Sequence, residues 1–176
     1  MKIKLTISIV ILVLFTLTGC RFSSVSPASA DITNTTKTFK TENITTDSLK
    51  YYKNEASSIT QEVTQASDNL ITASNNFMSY KIDLSSYKSA IKTYNNIIVY
   101  NYDRYKKLVP PTEMTTVHSY FGQAIEHYYN SSEYLNNFIN TEDMDSMKNY
   151  LRLATAELLE ANEAFKKATA ELKNID

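Results

Sequence analysis

The sequence predicts an all-α protein: an antiparallel up-down-up-down four-helix bundle with left-handed coiled-coil-like packing. Three observations carry this. From residue 46 onward, apolar side chains recur at alternating three- and four-residue spacing through four segments, a pattern a strand's period of two cannot produce. Two Gly and three Pro in 176 residues supply too few turn formers for a β sandwich. The breaks between segments are only a few residues long, which forces neighbouring helices to run antiparallel. A repeat averaging about 3.5 residues implies left-handed winding and crossings near about +20°.

The first helix is predicted over about 47–79, its core stripe being Leu49, Tyr52, Ala56, Ile59, Val63, Ala66, Leu70, Ala73 and Phe77. The second, over about 83–108, starts at a capping Asp83 and carries Leu84, Tyr87, Ile91, Tyr94, Ile98, Tyr105 and Leu108, with Asn101 in one polar slot. Pro110-Pro111 ends it, and Thr112 starts a third helix over about 112–139. That stripe reads Met114, Val117, Phe121, Ala124, Tyr128, Leu135 and Phe138, with Ser131 as its polar slot. Asn140-Thr141 separates it from a fourth helix over about 142–174, where Glu142 and Asp143 suit the positive end of the helix dipole. The fourth stripe runs from Met144 through Met147, Leu151, Ala154, Leu158, Ala161, Phe165, Ala168 and Leu172 to Ile175. Each helix is expected to be about 25–35 residues and about 40–50 Å long. Glu163, Lys167 and Glu171 should form a four-spaced ladder on the outer face of the last one. Two long hairpins that pair on dimerisation are the competing arrangement.

Ahead of the helices stands a leader. Met1-Lys2-Ile3-Lys4 is basic, Leu5 to Phe15 holds nine apolar residues of eleven, and Leu17-Thr18-Gly19-Cys20 follows. A basic start, a short apolar stretch and small residues make a secretory signal, too short for the roughly 20 residues of a membrane span. Cleavage after Ala28-Ser29-Ala30 would suit an ordinary secreted chain. The quartet ending on the chain's single cysteine resembles the lipobox of prokaryotic lipoproteins. The resemblance implies that Cys20 receives a diacylglycerol and becomes the first mature residue. It implies a lipid-anchored protein at the extracytoplasmic face of a cell membrane, residues 1–19 being the signal peptide. Two acyl chains suffice for stable anchoring.

Residues 21–45 contain four Ser, six Thr and two Asn with no hydrophobic period, so the stretch 20–45 is expected to be a disordered tether between the acylated cysteine and the bundle domain, 46–176. With the thiol acylated, no disulfide is available.

Charge and composition exclude several chemistries. Eighteen basic against nineteen acidic residues give net −1, which offers no bulk attraction for nucleic acid. His118 and His127 lie nine residues apart, on opposite sides of one helix, and neither follows a Glu by three positions as a di-iron bundle requires. No Gly-x-Ser-x-Gly elbow presents a nucleophile. The expectation is a non-catalytic protein without metal or cofactor.

Two surface features carry the functional expectation. Residues 80–107 hold six basic and two acidic side chains, net +4, whereas 141–176 sum to −3. Lys92, Val99, Tyr100, Lys106 and Lys107 form an apolar-aromatic spot in a basic rim, suited to a protein partner or an anionic envelope polymer. The competing reading pairs this basic helix with acidic neighbours as a registry device. On the third helix Glu113, Tyr120, His127 and Tyr134 recur every seven residues, a row that either lines a groove or packs at the flank of the core. The sequence therefore points to a lipoprotein presenting a helical binding surface. A small-ligand carrier with a Tyr-lined pocket at Asn101 and Ser131, or a structural or immunity factor, are the alternatives. Small helical envelope lipoproteins resemble this chain in leader, tether and helical region.

Overall fold

Among the described residues four α-helices succeed one another in the predicted order. α1 spans Phe39–Met78, α2 Leu84–Tyr105, α3 Thr115–Asn140 and α4 Met144–Leu172, with a 3-10 turn at Thr112–Met114 leading into α3. The computed structural model describes residues 39–175, with side chains from residue 47. The leader, Cys20 and most of the predicted tether lie outside the described residues. One boundary is corrected. α1 starts at Phe39 rather than near 47 and runs 40 residues, so the end of the stretch predicted as tether is helical. Residues 39–46 contain neither Gly nor Pro, and extending an existing helix costs far less than nucleating one. At about 1.5 Å per residue, α1 is about 60 Å long.

Helix ends follow local chemistry. Asp83 accepts from the Ser86 amide at 2.8 Å and Asp143 from the Ser146 amide at 2.8 Å, each satisfying a donor that the first turn leaves open. Both carboxyls are held below their ordinary range chiefly by hydrogen bonds from these serines, the Ser86 amide first for Asp83 and the Ser146 side chain first for Asp143. The Lys88 ammonium donates to the Ile139 carbonyl at 2.9 Å, doing the reciprocal service at the end of α3. α1 closes differently. Lys81 N–H reaches the Asn76 carbonyl and Tyr80 N–H the Phe77 carbonyl, with Tyr80 at φ 57°. This is the Schellman arrangement, with a tyrosine in the left-handed position that glycine usually takes.

Consecutive helices are neighbours, and α3 lies closest to α4. Across each seam, contacts advance along one helix as they recede along the other. Ser74 meets Tyr87 near the α1–α2 turn, while Glu55 meets Arg104 far from it. Tyr105 stacks on His118 beside the α2–α3 connection, and Lys88 meets Ile139 at the opposite end. His127 pairs with Glu157, and Phe121 lies against Phe165.

Every predicted core slot on α3 and its 3-10 entry is buried. Slots that miss the core sit at helix ends: Leu84, Met144 and Ile175 are 41%, 37% and 38% exposed. α3 also buries Gly122, Ile125 and Ser132 beside its stripe, because it faces α1 through His118 as well as α2 and α4. A side chain at Gly122 would collide with the Tyr105 hydroxyl, and that ring is fixed by His118 on its face and by an edge contact to Phe121. Ala154, Ala161, Ala164 and Ala168 on α4 are all buried. Side chains this small set a short interaxial distance, which accounts for the closeness of α3 and α4. The expected outer ladder is replaced: Glu163 pairs with Lys166 at 2.6 Å, and Lys167 lies 6.0 Å from the Tyr120 ring centroid. Three- and four-residue spacings are both available on a helix surface, and here the aromatic ring draws Lys167 away.

Candidate functional site

α2 turns one side outward, and the predicted surface residues follow it. Lys92 is exposed, Val99 is 39% and Tyr100 60% exposed. The Arg104 guanidinium carbon sits 5.4 Å from the Tyr100 ring centroid. Lys106 is drawn aside, its ammonium 2.7 Å from Asp103 and 4.5 Å from the Tyr102 ring centroid. The hydrogen bond to Asp103 is the main cause of the upward shift in its pKa. Lys107 is exposed just past the helix. The five residues thus form a stripe of about 22 Å along α2, with Val99 and Tyr100 as its apolar centre, rather than one spot.

The same stretch of α2 borders a groove shared with α3. Asn95, Asn96, Val99 and Tyr100 with Glu133 and Asn136 line a depression of about 370 Å³. Leu84, Ser85, Lys88, Ser89 and Lys92 with Ile139 line a second of about 420 Å³. The two lie end to end, since their linings continue one another along both helices. Asn95 is the oddity here. Its carboxamide nitrogen and oxygen are both buried and meet no hydrogen-bond partner among the described residues, a costly state for a group with two donors and an acceptor.

The heptad-spaced row on α3 packs. Tyr120, His127 and Tyr134 are half-buried, the two tyrosines against the core, and Glu113 lies exposed in the 3-10 turn. His127 Nδ1 is 2.8 Å from Glu157, which Asn130 also reaches at 3.4 Å. The α4 side chains Glu157 and Lys167 therefore cover His127 and Tyr120.

Sequence reasoning missed two arrangements. The first joins α1 to α2. Arg104 donates from Nε to Glu55 at 2.8 Å, from Nη1 to Glu62 at 2.6 Å and to Asn101 at 3.0 Å, and from Nη2 to Ser58 at 3.0 Å. Asn101, fully buried, donates in turn to Glu62 at 3.2 Å and to the Ile97 carbonyl at 2.9 Å. Burial alone would raise the Glu62 pKa, but the hydrogen bonds from Arg104, Asn101 and Ser58 outweigh it and hold the carboxyl below its ordinary range. The basic helix does pair with acidic side chains, and those lie on α1. A signal existed: Glu55 and Glu62 are seven apart beside the α1 stripe, and the polar slot Asn101 is three before Arg104.

The second arrangement centres on His118. Tyr52 lies 3.2 Å from its Nδ1, and the Tyr105 ring stacks on it with centroids 4.8 Å apart. Burial lowers the His118 pKa and, first among its causes, raises that of Tyr52. The neutral imidazole and the protonated phenol share a hydrogen bond at Nδ1, whose direction the imidazole tautomer sets. The two histidines face different neighbours, as their spacing requires.

Asn101 and Ser131 are fully buried. Asn101 is consumed by the Arg104 network, and the Ser131 hydroxyl meets no hydrogen-bond partner among the described residues. Among those residues no three His, Cys, Asp or Glu side chains gather as metal ligands, and no helix is long and apolar enough to cross a membrane. No protein-family model, curated protein or solved structure matches the chain.

Proposed function

We propose that this protein is a non-catalytic envelope lipoprotein. Diacylated Cys20 holds it at the extracytoplasmic face of a membrane, and its helices form an up-down-up-down bundle with left-handed winding. The bundle presents the outward side of α2 to a partner. The observation that carries this reading is the mid-helix pair Val99 and Tyr100, 39% and 60% exposed; among the described residues the other exposed large apolar side chains, Tyr51 on α1 apart, lie at helix ends or in connections. Lys92 stands two turns before them and Lys107 two turns after, which adds long-range attraction for an acidic surface. The opposed running of contacts across the three seams supports the bundle topology, and the resemblance of Leu17-Thr18-Gly19-Cys20 to a lipobox supports the anchor.

A photo-crosslinker at position 100 in the living cell should capture a discrete partner that a crosslinker at exposed Glu160 does not. Equal capture from both positions would remove α2 as the presented face. Cys20→Ala should release the protein to the medium or leave an unprocessed precursor. Unchanged membrane association with no lipid mass on the wild-type protein would remove the anchor.

A further inference from the structure

We propose that the α2–α3 groove is a binding site for an acidic polysaccharide, a chain of sugar rings bearing anionic groups. The inference deepens the reading of α2 as the presented face and rests on it. From Leu84 to Tyr100 the two depressions succeed one another along seventeen residues of α2, a length of about 24 Å. That length suits a linear chain better than a compact metabolite.

The lining selects among linear chains. An amphipathic helix would need apolar anchors repeating along the groove. Here the apolar side chains stand at the two ends, Leu84 with Ile139 and Val99 with Tyr100, and Lys, Ser and Asn fill the space between. A sugar ring offers C–H faces and a rim of hydroxyls, each both donor and acceptor. The exposed Tyr100 ring fits the first, and the carboxamides of Asn95, Asn96 and Asn136 fit the second, because an amide also donates and accepts at adjacent atoms.

Charge gives the trough a direction. Lys88 and Lys92 lie at one end and Glu133 at the other, so an anionic substituent belongs beside the lysines and a neutral ring beside Tyr100. Lys88 spends one of its three donors on the Ile139 carbonyl, which fixes that rim and leaves two donors for a ligand. The unpartnered Asn95 carboxamide supplies the reason to bind. Rotation of this side chain toward the depression exchanges an unsatisfied buried amide for one paired with a sugar hydroxyl.

The test uses the full-length chain in liposomes. The probes are hyaluronate, polygalacturonate and a phosphomannan, with neutral dextran and the non-sugar polyanion polyglutamate as controls. At least one acidic polysaccharide should bind at least tenfold more tightly than dextran or polyglutamate, and more weakly as salt rises. Lys92→Glu and Tyr100→Ala should each weaken that binding at least tenfold. Asn95→Leu should do the same while leaving the thermal midpoint equal or higher, so that misfolding is excluded as the cause. Equal binding of polyglutamate reduces the groove to a charged surface and overturns the inference. So does the absence of binding to all three acidic polysaccharides, or binding that survives both Tyr100→Ala and Asn95→Leu. If the sugars fail while the crosslinker at position 100 still captures a protein, the presented face stands and the polysaccharide falls.

Discussion

The α1–α2 and α3–α4 seams obey the same helical period and are held by different physics. Between α3 and α4 the contact is largely apolar, with Phe121 and Tyr128 against Phe165 and Ala154, Ala161 and Ala164 buried on α4. Between α1 and α2 a single guanidinium reaches four side chains, Glu55, Ser58, Glu62 and Asn101. Close packing rewards any register that fills space, so small-residue seams are stable but weakly discriminating. A fork of fixed N–H directions accepts one register and leaves charges stranded in the others. The difference suggests a division of labour in which the α3–α4 seam supplies cohesion and the α1–α2 seam supplies alignment. The Arg104 side chain is 18% exposed and Glu62 41%, so the network is only partly screened by water.

The strongest way to break this comparison is at Arg104. Arg104→Ala should cost about 2 kcal/mol, because it leaves Glu55 and Glu62 without their cation and the oxygen of the buried Asn101 carboxamide without its donor. The midpoint in a thermal melt should fall by about 8 °C. Arg104→Lys should recover little of it, since an ammonium cannot reproduce the fork. A loss below about 0.5 kcal/mol for Arg104→Ala would make the network ornamental.

Ala161→Leu attacks the other seam by forcing methylenes into a position with 0% exposure. The expected loss is about 2 kcal/mol, read from urea denaturation. If shape governs this seam, that loss should respond to a compensating small substitution on α3 and stay indifferent to salt. The Arg104→Ala loss should instead shrink as salt rises.

The smallest effect is a pH dependence at the place where α1, α2 and α3 meet. Burial lowers the His118 pKa in the folded chain, so the unfolded chain takes up the proton first as pH falls. The contribution of His118 is fully present above the unfolded value of about 6.5 and is lost as pH drops below it. In a His127→Gln background, which leaves His118 as the one histidine, stability should fall between about pH 7.5 and 5.5. A further His118→Gln change should flatten that fall. Glu62, Asp83 and Asp143, whose carboxyls are held low, lose their contributions only at more acidic pH, below about 4.5.

How much of this was legible beforehand varies with the range of the interaction. The α3 stripe was readable slot for slot because burial on a helix repeats with a known angle. The Asp83 cap was readable because a cap acts within three residues, whereas Asp143 was legible only as a charge suited to the helix dipole, and the structure makes it a cap as well. The turn after α1 gave no signal, since Tyr80 holds a left-handed position without glycine or asparagine to announce it. The start of α1 was misplaced by eight residues because polar composition was weighed over the absence of helix breakers. The Val99–Tyr100 stripe was visible as exposed apolar residues among lysines, but its neighbours Glu133 and Asn136 come from another helix. The groove could not be assembled until α3 was set beside α2.

Taken alone, the sequence determined that the described residues are helical and which of them turn away from water. Those are consequences of one repeating angle and of hydrogen bonds between near neighbours in the chain. The tertiary structure decided which polar residues meet. That Arg104 answers Glu55 and Glu62, that His127 takes Glu157 and His118 takes Tyr52, and that Asn95 is left without a partner all depend on axial offsets between helices. Those offsets are set by how differently sized side chains interlock along each seam, and no spacing within a single helix encodes them.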